Sequence, residues 1–223
     1  NHNRTVVLLF GGEKQQMQEV YLCIDLKTFY ASVECVERGL DPFSTNLVVA
    51  DEARGKGAIC LAISPRMKML GIQNRCRLYE IPKGVEYIIA KPRMRKYMEY
   101  SANIYATYLK YISKDDIHVY SIDEAFLDVT HYLGMYKMKS IELARVIMKD
   151  IYDTFGITAT CGIGTNLYLA KIALDIMSKH SPTNIGWLTE ERYQKELWHH
   201  KPLTDFWQIG KRNCKKTQSH GDL

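Results

Sequence analysis

The carboxylates of this sequence that can do chemistry lie beside apolar segments of strand length. Asp25 falls near the end of segment 20–26, and Asp123-Glu124 fall between two further apolar segments. A carboxylate in an apolar strand is costly unless it is hydrogen-bonded or bound to a metal ion. Three carboxylates with a nearby backbone carbonyl make a hard-oxygen site for Mg²⁺ or Mn²⁺, which also bind substrate phosphates. Two such ions would activate an attacking oxygen and stabilise a leaving phosphate.

These carboxylates reach one site only if the fold meets two conditions. Successive residues of a strand face opposite sides, so Asp123 and Glu124 need a tight turn to re-aim them. Asp25 meets them only if segments 20–26 and 125–129 are neighbours in one sheet. By itself, the acidic pair is more typical of an ordinary polar hairpin turn than of a catalytic site.

The elements that must position these residues follow an alternating order. Apolar runs of strand length alternate with segments of helical periodicity, which is typical of an α/β or α+β domain. Strands are predicted at residues 20–26, 47–50, 58–63, 86–90, 117–120, 125–129 and 157–163, and helices at 29–39, 65–71, 92–112, 134–156 and from 166 onward. Without an inserted unit at about 40–90, this order resembles the split βαβ arrangement of ferredoxin-like domains. We therefore predict an α+β fold with a mixed sheet and helices on one face.

Composition excludes several classes of protein. The 223 residues are 46% hydrophobic and 25% charged, so a disordered or fibrous chain is excluded. No apolar run near the start approaches the ~20 residues of a membrane-spanning helix, and run 6–10 is too short for a signal peptide. We expect a cytoplasmic protein without a membrane partner. The net charge of +5 permits an anionic partner without requiring one.

The cysteines and histidines favour neither a zinc site nor a disulfide scaffold. The six cysteines include no C-x-x-C pair, and the seven histidines include no H-x-x-x-H pair. Zinc sites and small disulfide frameworks use such closely spaced residues. We therefore expect reduced thiols.

Two long motifs resemble the signatures of Y-family translesion DNA polymerases. Residues 25–34, D-L-K-T-F-Y-A-S-V-E, resemble the D-x-x-x-F-Y-A-S-V-E signature of that family. Residues 121–128, S-I-D-E-A-F-L-D, resemble its S-I-D-E-A-[FY]-L-D signature in full. Supporting matches lie at 64–72, 161–171 and 202–212. The resemblance covers about residues 20–212 and is nearest to the bacterial UmuC/DinB-like, UV-damage repair branch.

The resemblance implies a catalytic metal site. Carried over residue by residue, it assigns Asp25, Asp123 and Glu124 to two Mg²⁺ ions, for which Mn²⁺ is a substitute. The backbone carbonyl of Leu26 is implied as a further ligand. The same three carboxylates are then the catalytic residues.

The resemblance also implies a site for the incoming nucleotide. Phe29 and Tyr30 are placed under the sugar, with the ring of Tyr30 against C2′. Lys68 stands where many members have an arginine that contacts the triphosphate, and a lysine supplies the charge without bidentate geometry. Pro65 stands where many members have a tyrosine that binds phosphate, so Ser64 is left to supply that contact.

Lys179 matches a phosphate-binding lysine of the family only if one residue is inserted in the helix end at 176–178. The alternative for Lys68 and Lys179 is a solvated surface lysine. For Lys171 the surface position is the favoured interpretation.

The resemblance divides the chain into family domains. It assigns 20–40 and 91–188 to the palm, which carries the ferredoxin-like fold, 41–90 to a small fingers insertion and 189–212 to the start of the thumb. Residues 1–19 are an unassigned lead, and 213–223 form a frayed tail. Family members have a complete thumb and a further DNA-gripping domain, so we expect the palm and fingers with only the start of the thumb.

The function implied is template-directed DNA synthesis across damaged DNA by two-metal nucleotidyl transfer, in DNA repair and SOS mutagenesis. The implied partners are primer–template DNA, a dNTP and, through parts outside this chain, a sliding clamp or other repair proteins. One alternative is a non-catalytic polymerase-like fragment that binds DNA or a protein partner. Another is a different metal-dependent nucleotidyl enzyme, because a fold does not fix a function.

Overall fold

The computed structural model describes residues 17–201 and 205–207. In this part of the chain the strands are β1 (Tyr21–Leu26), β2 (Leu47–Val49), β3 (Ala62–Ile63), β4 (Ile88–Ala90), β5 (Ile117–Ser121), β6 (Glu124–Asp128), β7 (Ala159–Gly164) and β8 (Ile185–Leu188). The α-helices there are α1 (Phe29–Glu37), α2 (Pro65–Met69), α3 (Met94–Leu109), α4 (Tyr132–Tyr136), α5 (Ser140–Phe155), α6 (Leu167–Ile172) and α7 (Glu190–Leu197). The predicted lead, thumb motif and tail lie mostly or wholly outside the described residues.

The main sheet has the strand order β5-β6-β1-β7-β8, with β1 at its centre. β1 is antiparallel to both β6 and β7, and β5 is antiparallel to β6. β8 runs parallel to β7, which makes the sheet mixed. The predicted α+β fold with a mixed sheet is confirmed.

Helices pack on both faces of this sheet. On one face, Leu22 belongs to a core that includes residues of α3 and α5. On the other face, Cys23 packs against Ala170 and Leu174, in α6 and the turn that follows it. Asp25 shares this second face, because side chains two residues apart on a strand point the same way. The sequence predicted helices on one face of the sheet. The structure places α6 on the other face, beside the candidate catalytic carboxylate Asp25.

Two glycines of β7 allow α6 to approach the sheet this closely. A Cβ atom at Gly162 would lie 2.1 Å from the carbonyl oxygen of Ala170, and one at Gly164 would lie 2.2 Å from the Ala170 nitrogen. Real Cβ atoms do not make such contacts with backbone, so neither position accepts a side chain unless α6 moves. Asn166 caps α6 as predicted, because its Oδ1 accepts from the Leu169 N–H at 2.7 Å.

A second, three-stranded sheet forms inside the predicted insertion, with strand order β3-β2-β4. It has its own apolar cluster, which includes Val48, Ile63 and Met67. The charged excursion between β2 and β3 forms a 3₁₀ helix at Glu52–Gly57. The predicted strand at 58–63 is shorter than expected, and Ile59 makes only an isolated bridge with Arg77. The palm and fingers boundaries stay a prediction.

Other elements differ from the prediction. The single helix predicted at 134–156 is wrong at its start, because Lys137 adopts a left-handed conformation, φ 54°, and separates α4 from α5. β8 and α7 were not predicted.

The five cysteines in the described part are free and buried. No helix among the residues described is long and apolar enough to cross a membrane.

Replacing Gly162 by alanine should destabilise the fold by about 3 kcal/mol or more, because the new Cβ has no room against α6. Gly134→Ala is the matched control, since Gly134 lies in α4 and a Cβ added there would have no atom within 4 Å. The control should be neutral or more stable by up to about 1 kcal/mol. Urea unfolding measures both, and equal midpoints for Gly162→Ala and the parent would contradict the close packing of α6.

Candidate active site

Asp25 and Glu124 face each other across β1 and β6. They are Cα partners in the antiparallel register, and Thr160 of β7 is the partner of Asp25 on its other side. Directly opposed residues of an antiparallel pair point to one face, with Cβ atoms about 4.5–5.5 Å apart. The strands that carry these two carboxylates are therefore neighbours, as the sequence argument required.

Asp123 lies in the tight turn between β5 and β6. The register shifts between Val119 and Ser121, and such irregularities re-aim side chains at the end of a hairpin. Ser121 Oγ donates to Asp123 Oδ1 at 2.8 Å, and the Leu26 N–H donates to the Asp123 carbonyl oxygen at 2.9 Å. These contacts hold the turn against the end of β1, next to Asp25.

The carboxylates at this end of the sheet repel one another. Burial, followed by the charges of Asp123 and Glu124, raises the pKa of Asp25 to about 7. Within the described part of the chain, Glu124 has a lysine partner, whereas no lysine or arginine forms an ion pair with Asp25 or Asp123. The site therefore carries an excess of negative charge.

Lys171 is the cation that binds Glu124. Its Nζ lies 2.8 Å from Glu124 Oε1 and 3.1 Å from Asp175 Oδ1, and the residue is 9% exposed. Burial acts to lower the pKa of Lys171, but the hydrogen bond with Glu124 and the charge of Asp175 outweigh it and raise the pKa. The interpretation of Lys171 as a solvated surface lysine is wrong, because α6 holds its side chain against the sheet.

The donor set fits a hard divalent cation, although it is not a closed metal site. Across residues 17–201 and 205–207, no three His, Cys, Asp or Glu side chains are arranged as a ready-made metal cluster. Asp25 and Asp123 offer carboxylate oxygens without a cationic partner, while Glu124 is turned to Lys171. Carboxylates and carbonyls are the ligands that Mg²⁺ uses, and it commonly completes its shell with water and substrate phosphates.

Lys27 and Lys68 lie within electrostatic reach of Asp25, and Lys179 lies within electrostatic reach of Lys68. Burial lowers the pKa of Lys68, the charge of Asp25 opposes that change, and the charges of Lys179 and Lys27 add to it. Burial also lowers the pKa of Lys27, again opposed by Asp25. The charge of Lys68 is therefore felt by Asp25 and by the second predicted phosphate ligand, Lys179.

The backbone between α6 and Lys179 contains an irregular helical turn. Residues Ala173–Met177 form a π-helical turn, followed by a 3₁₀ turn at Ser178–His180. A π turn takes one residue more than an α turn, and such turns are frequent at functional sites. The single inserted residue that the motif match required at 176–178 falls in and just after this turn.

Phe29 and Tyr30 begin α1 directly after the carboxylate strand. Phe29 is 3% exposed and packs in the main core, whereas Tyr30 is half-buried. The ring of Tyr30 stacks on Tyr97, with centroids 4.4 Å apart and an interplanar angle of 16°. Burial and, after it, the charge of Asp123 raise the pKa of Tyr30.

Ser64 does not join the other predicted nucleotide ligands. It is fully buried as the N-cap of α2, and its Oγ donates to the Thr45 carbonyl at 2.6 Å. The same oxygen accepts from the Leu47 and Met67 N–H groups. The hydroxyl therefore has no free surface for a phosphate, and we do not carry Ser64 into the proposed site.

A cleft of about 810 Å³ opens beside Tyr30. Its lining includes the apolar side chains of Ile59 and Leu61, which are exposed, and the basic side chains of Arg54 and Arg75. Apolar and basic surfaces together suit a ligand with flat apolar rings and negative charge.

The fold is that of the palm and fingers of Y-family DNA polymerases. The model of the impB/mucB/samB family matches residues 24–175, and the chain belongs to that family.

Curated relatives agree with this assignment. The chain is 36% identical over 192 residues to UvrX of Bacillus subtilis (strain 168), a protein named for UV-damage repair, covering 86% of this chain and 45% of UvrX. It is 34% identical over 200 residues to DNA polymerase IV 2 of the same strain, covering 87% and 46%. It is also 36% identical over 107 residues to the DNA repair protein homolog YozK of that strain, covering 48% and 93%. The chain spans about half the length of UvrX and of DNA polymerase IV 2.

Solved structures show the same fold. DinB from Sulfolobus solfataricus matches with a TM-score of 0.71 and 27% identity, covering 91% of this chain and 57% of DinB. The insertion ternary complex of Dbh DNA polymerase matches with a TM-score of 0.74 and 26% identity, covering 91% and 58%.

Sequence reasoning missed two charged residues that the fold buries. Lys171 lies between Ala170 and Ile172, and Glu34 lies between Val33 and Cys35. A charged residue inside an apolar helical stretch is the signal that was available for both. Such residues are seldom buried without a partner of opposite charge.

The raised pKa of Asp25 predicts a specific pH dependence of stability. An unfolded aspartate titrates near pH 4, so the folded state binds the Asp25 proton more tightly, and its contribution to stability is lost as pH rises from about 4 to 7. Asp25→Asn removes the cost of the buried charge and should therefore exceed the parent in free energy of unfolding at pH 8 by about 4 kcal/mol.

Urea unfolding in a chelator at pH 4.5 and pH 8 measures the effect. The difference between the variant and the parent should shrink at the lower pH, where both carry a neutral side chain. An Asp25→Asn difference independent of pH would mean that Asp25 titrates normally.

Proposed function

We propose that this chain forms the catalytic palm and the fingers of a template-directed DNA polymerase that extends a DNA 3′ end across damaged template. The observation that carries the proposal is the meeting of Asp25, Asp123 and Glu124 at one end of β1 and β6, with more negative charge than the contacting cations balance. Membership of the impB/mucB/samB family and the likeness to Dbh DNA polymerase support it.

Asp25, Asp123 and Glu124, with the Leu26 carbonyl, would hold one or two Mg²⁺ or Mn²⁺ ions. Such ions, when bound, lower the pKa of an attacking hydroxyl and neutralise charge on a transferring phosphate. Glu124 would exchange its bond with Lys171 for this role, and Lys171 would keep Asp175 as a partner. The repulsion that raises the Asp25 pKa would then be relieved.

Lys68 and Lys179 would bind the triphosphate of a dNTP. Burial lowers the pKa of Lys68, and repulsion by Lys179 lowers it further. An anion between the two ammonium groups would raise the pKa again. The electrostatic effects of Asp25 and of Lys179 on Lys68 support this role.

Phe29 would support the nucleotide from within the core, and Tyr30 would lie against C2′ of its sugar. Tyr30 lines the cleft, and the charge of Asp123 acts on its hydroxyl. A 2′-hydroxyl would collide with the ring, so the site would select deoxyribonucleotides by exclusion.

The biological setting follows as part of the same proposal. Residues 20–40 and 91–188 would be the palm, 41–90 the fingers and 189–212 the start of the thumb. Primer–template DNA would be the partner, with a sliding clamp or other repair proteins binding elsewhere, in the cytoplasm and in the SOS response. All three predicted carboxylates are present, although their mutual repulsion is unfavourable. A fragment that only binds DNA would have no use for them, so the carboxylates argue against this alternative.

The metal site predicts weak binding of Mn²⁺ by the protein alone and tighter binding with a dNTP, because substrate phosphates complete the coordination shell. Asp25→Asn should weaken binding in the presence of dNTP at least about tenfold. Mn²⁺ paramagnetic relaxation with and without dATP measures both. Asp128→Asn on the same strand as Glu124 should bind like the parent, and tight binding that survives Asp25→Asn would remove the proposed site.

Sugar selection predicts an effect of a single ring. Tyr30→Ala should keep dATP insertion within about tenfold of the parent and should raise ATP insertion sharply, because the steric penalty on ribose is lost. Tyr30→Phe keeps the ring and should keep the discrimination. Single-nucleotide insertion on one template gives the ratio, and an unchanged ratio in a folded Tyr30→Ala protein would make Tyr30 an ordinary core residue.

A further inference from the structure

Glu34 is a fully buried charge at the centre of α1. Its Oε1 accepts from Arg93 Nε at 2.9 Å and from the Tyr97 hydroxyl at 2.9 Å. Its Oε2 accepts from Arg93 Nη2 at 2.8 Å and also from Arg38. Burial would raise the pKa of Glu34, but the hydrogen bonds from Arg93, Arg38 and Tyr97 lower it, so the carboxylate stays charged. A buried charge with this many partners has a defined position.

Tyr97 connects this charge to Tyr30. The Tyr97 side chain is fully buried, its hydroxyl is bound to Glu34, and its ring lies parallel to Tyr30 at 4.4 Å. Tyr30 and Glu34 are four residues apart on α1, which places them on the same face one turn apart. Tyr97 therefore contacts α1 twice, once through its hydroxyl and once through its ring.

Arg93 sets the separation of the two helices. It precedes α3, and its guanidinium makes a bidentate pair with Glu34 on α1. Its sequence neighbours Pro92 and Met94 line the same cleft as Tyr30. The ion pair thus joins the two pieces of chain that border the cleft at this point.

We propose that Glu34, acting through Tyr97 and Arg93, is a positioning residue that fixes the Tyr30 ring at the mouth of the cleft and so sets the discrimination of deoxyribose from ribose. The inference rests on the function proposed above. A half-buried tyrosine that is free to adopt another χ1 rotamer would move away from a 2′-hydroxyl, and the site would then bind a ribonucleotide. Stacking on the Tyr97 ring, which is itself held by Glu34, prevents this change of rotamer of Tyr30.

The test uses two substitutions of Tyr97 and two matched controls. Tyr97→Leu removes the stacked ring, and Tyr97→Phe removes only the bond to Glu34. Tyr100 is the control position, because its hydroxyl makes a similar bond between α3 and α1, to Glu37 at 2.6 Å, and its ring does not stack on Tyr30. Tyr100→Leu and Tyr100→Phe therefore perturb the same pair of helices away from the cleft.

Two readouts separate positioning from catalysis. Spectra of ¹³C-tyrosine-labelled protein report the environment of the Tyr30 ring without any ligand, assigned by comparison with Tyr30→Phe. The ratio of dATP to ATP affinity, measured by equilibrium dialysis with Ca²⁺, reports discrimination without turnover. Tyr97→Leu should shift the Tyr30 resonances and lower the ratio by roughly tenfold. Tyr97→Phe should do both to a smaller extent, and the Tyr100 variants should do neither.

Each contrary outcome has a separate meaning. Unchanged Tyr30 resonances in Tyr97→Leu, a shifted ring with the parent's ratio, or a Tyr97→Phe protein that matches the parent in both readouts would overturn the inference while leaving the proposed function intact. If Tyr97→Leu does not fold, Tyr97→Phe decides by the same two criteria. A parent protein that binds neither nucleotide would overturn the proposed function and this inference with it.

Discussion

The opposition of Asp25 and Glu124 across β1 and β6 is the interaction on which the rest of the site depends. It concentrates like charges at one end of the sheet, where burial, followed by the charges of Asp123 and Glu124, raises the pKa of Asp25 to about 7. A fold optimised only for stability would place an uncharged pair there. The surrounding structure reduces this cost with Lys171, which reaches Glu124 because Gly162 lets α6 lie against the strand.

The arrangement balances only part of the charge. Lys171 neutralises Glu124 but forms no ion pair with Asp25 or Asp123, so the protein alone keeps an unfavourable interaction that a divalent cation can relieve. A ligand that binds only the folded state stabilises it by mass action, and here it would also remove a penalty already present. On the proposed function, metal affinity and conformational stability would be coupled through Asp25, and the glycine spacing of β7 would contribute to both.

The sequence predicted most strongly those features that depend on local pattern. Strand and hairpin at 117–128 follow from apolar runs around Asp123-Glu124, and the cap at Asn166 follows from residue type. The burial of Lys171 could not be derived, because its side chain reaches Glu124, on a strand distant in the sequence, only once the sheet has formed. The break between α4 and α5 at Lys137 could not be derived either. A lysine has no unusual local preference, and its left-handed conformation reflects the docking of α4 and α5 on either side. Pairwise contacts between distant segments, rather than propensities, decide these features.

The first motif makes physical sense as one connected unit rather than as a string of separate ligands. Asp25 lies at the end of the strand, and Phe29 anchors the start of α1 in the core directly after the left-handed residue Thr28. Ser32 ties the helix back to that turn, because its Oγ donates to the Lys27 carbonyl at 2.7 Å. Glu34, one turn beyond Tyr30, binds the helix to the start of α3. The spacing between Asp25 and the Tyr30 ring is therefore fixed at both ends of the turn, so a change at Ser32 or Glu34 would alter the geometry of the proposed site without touching a substrate.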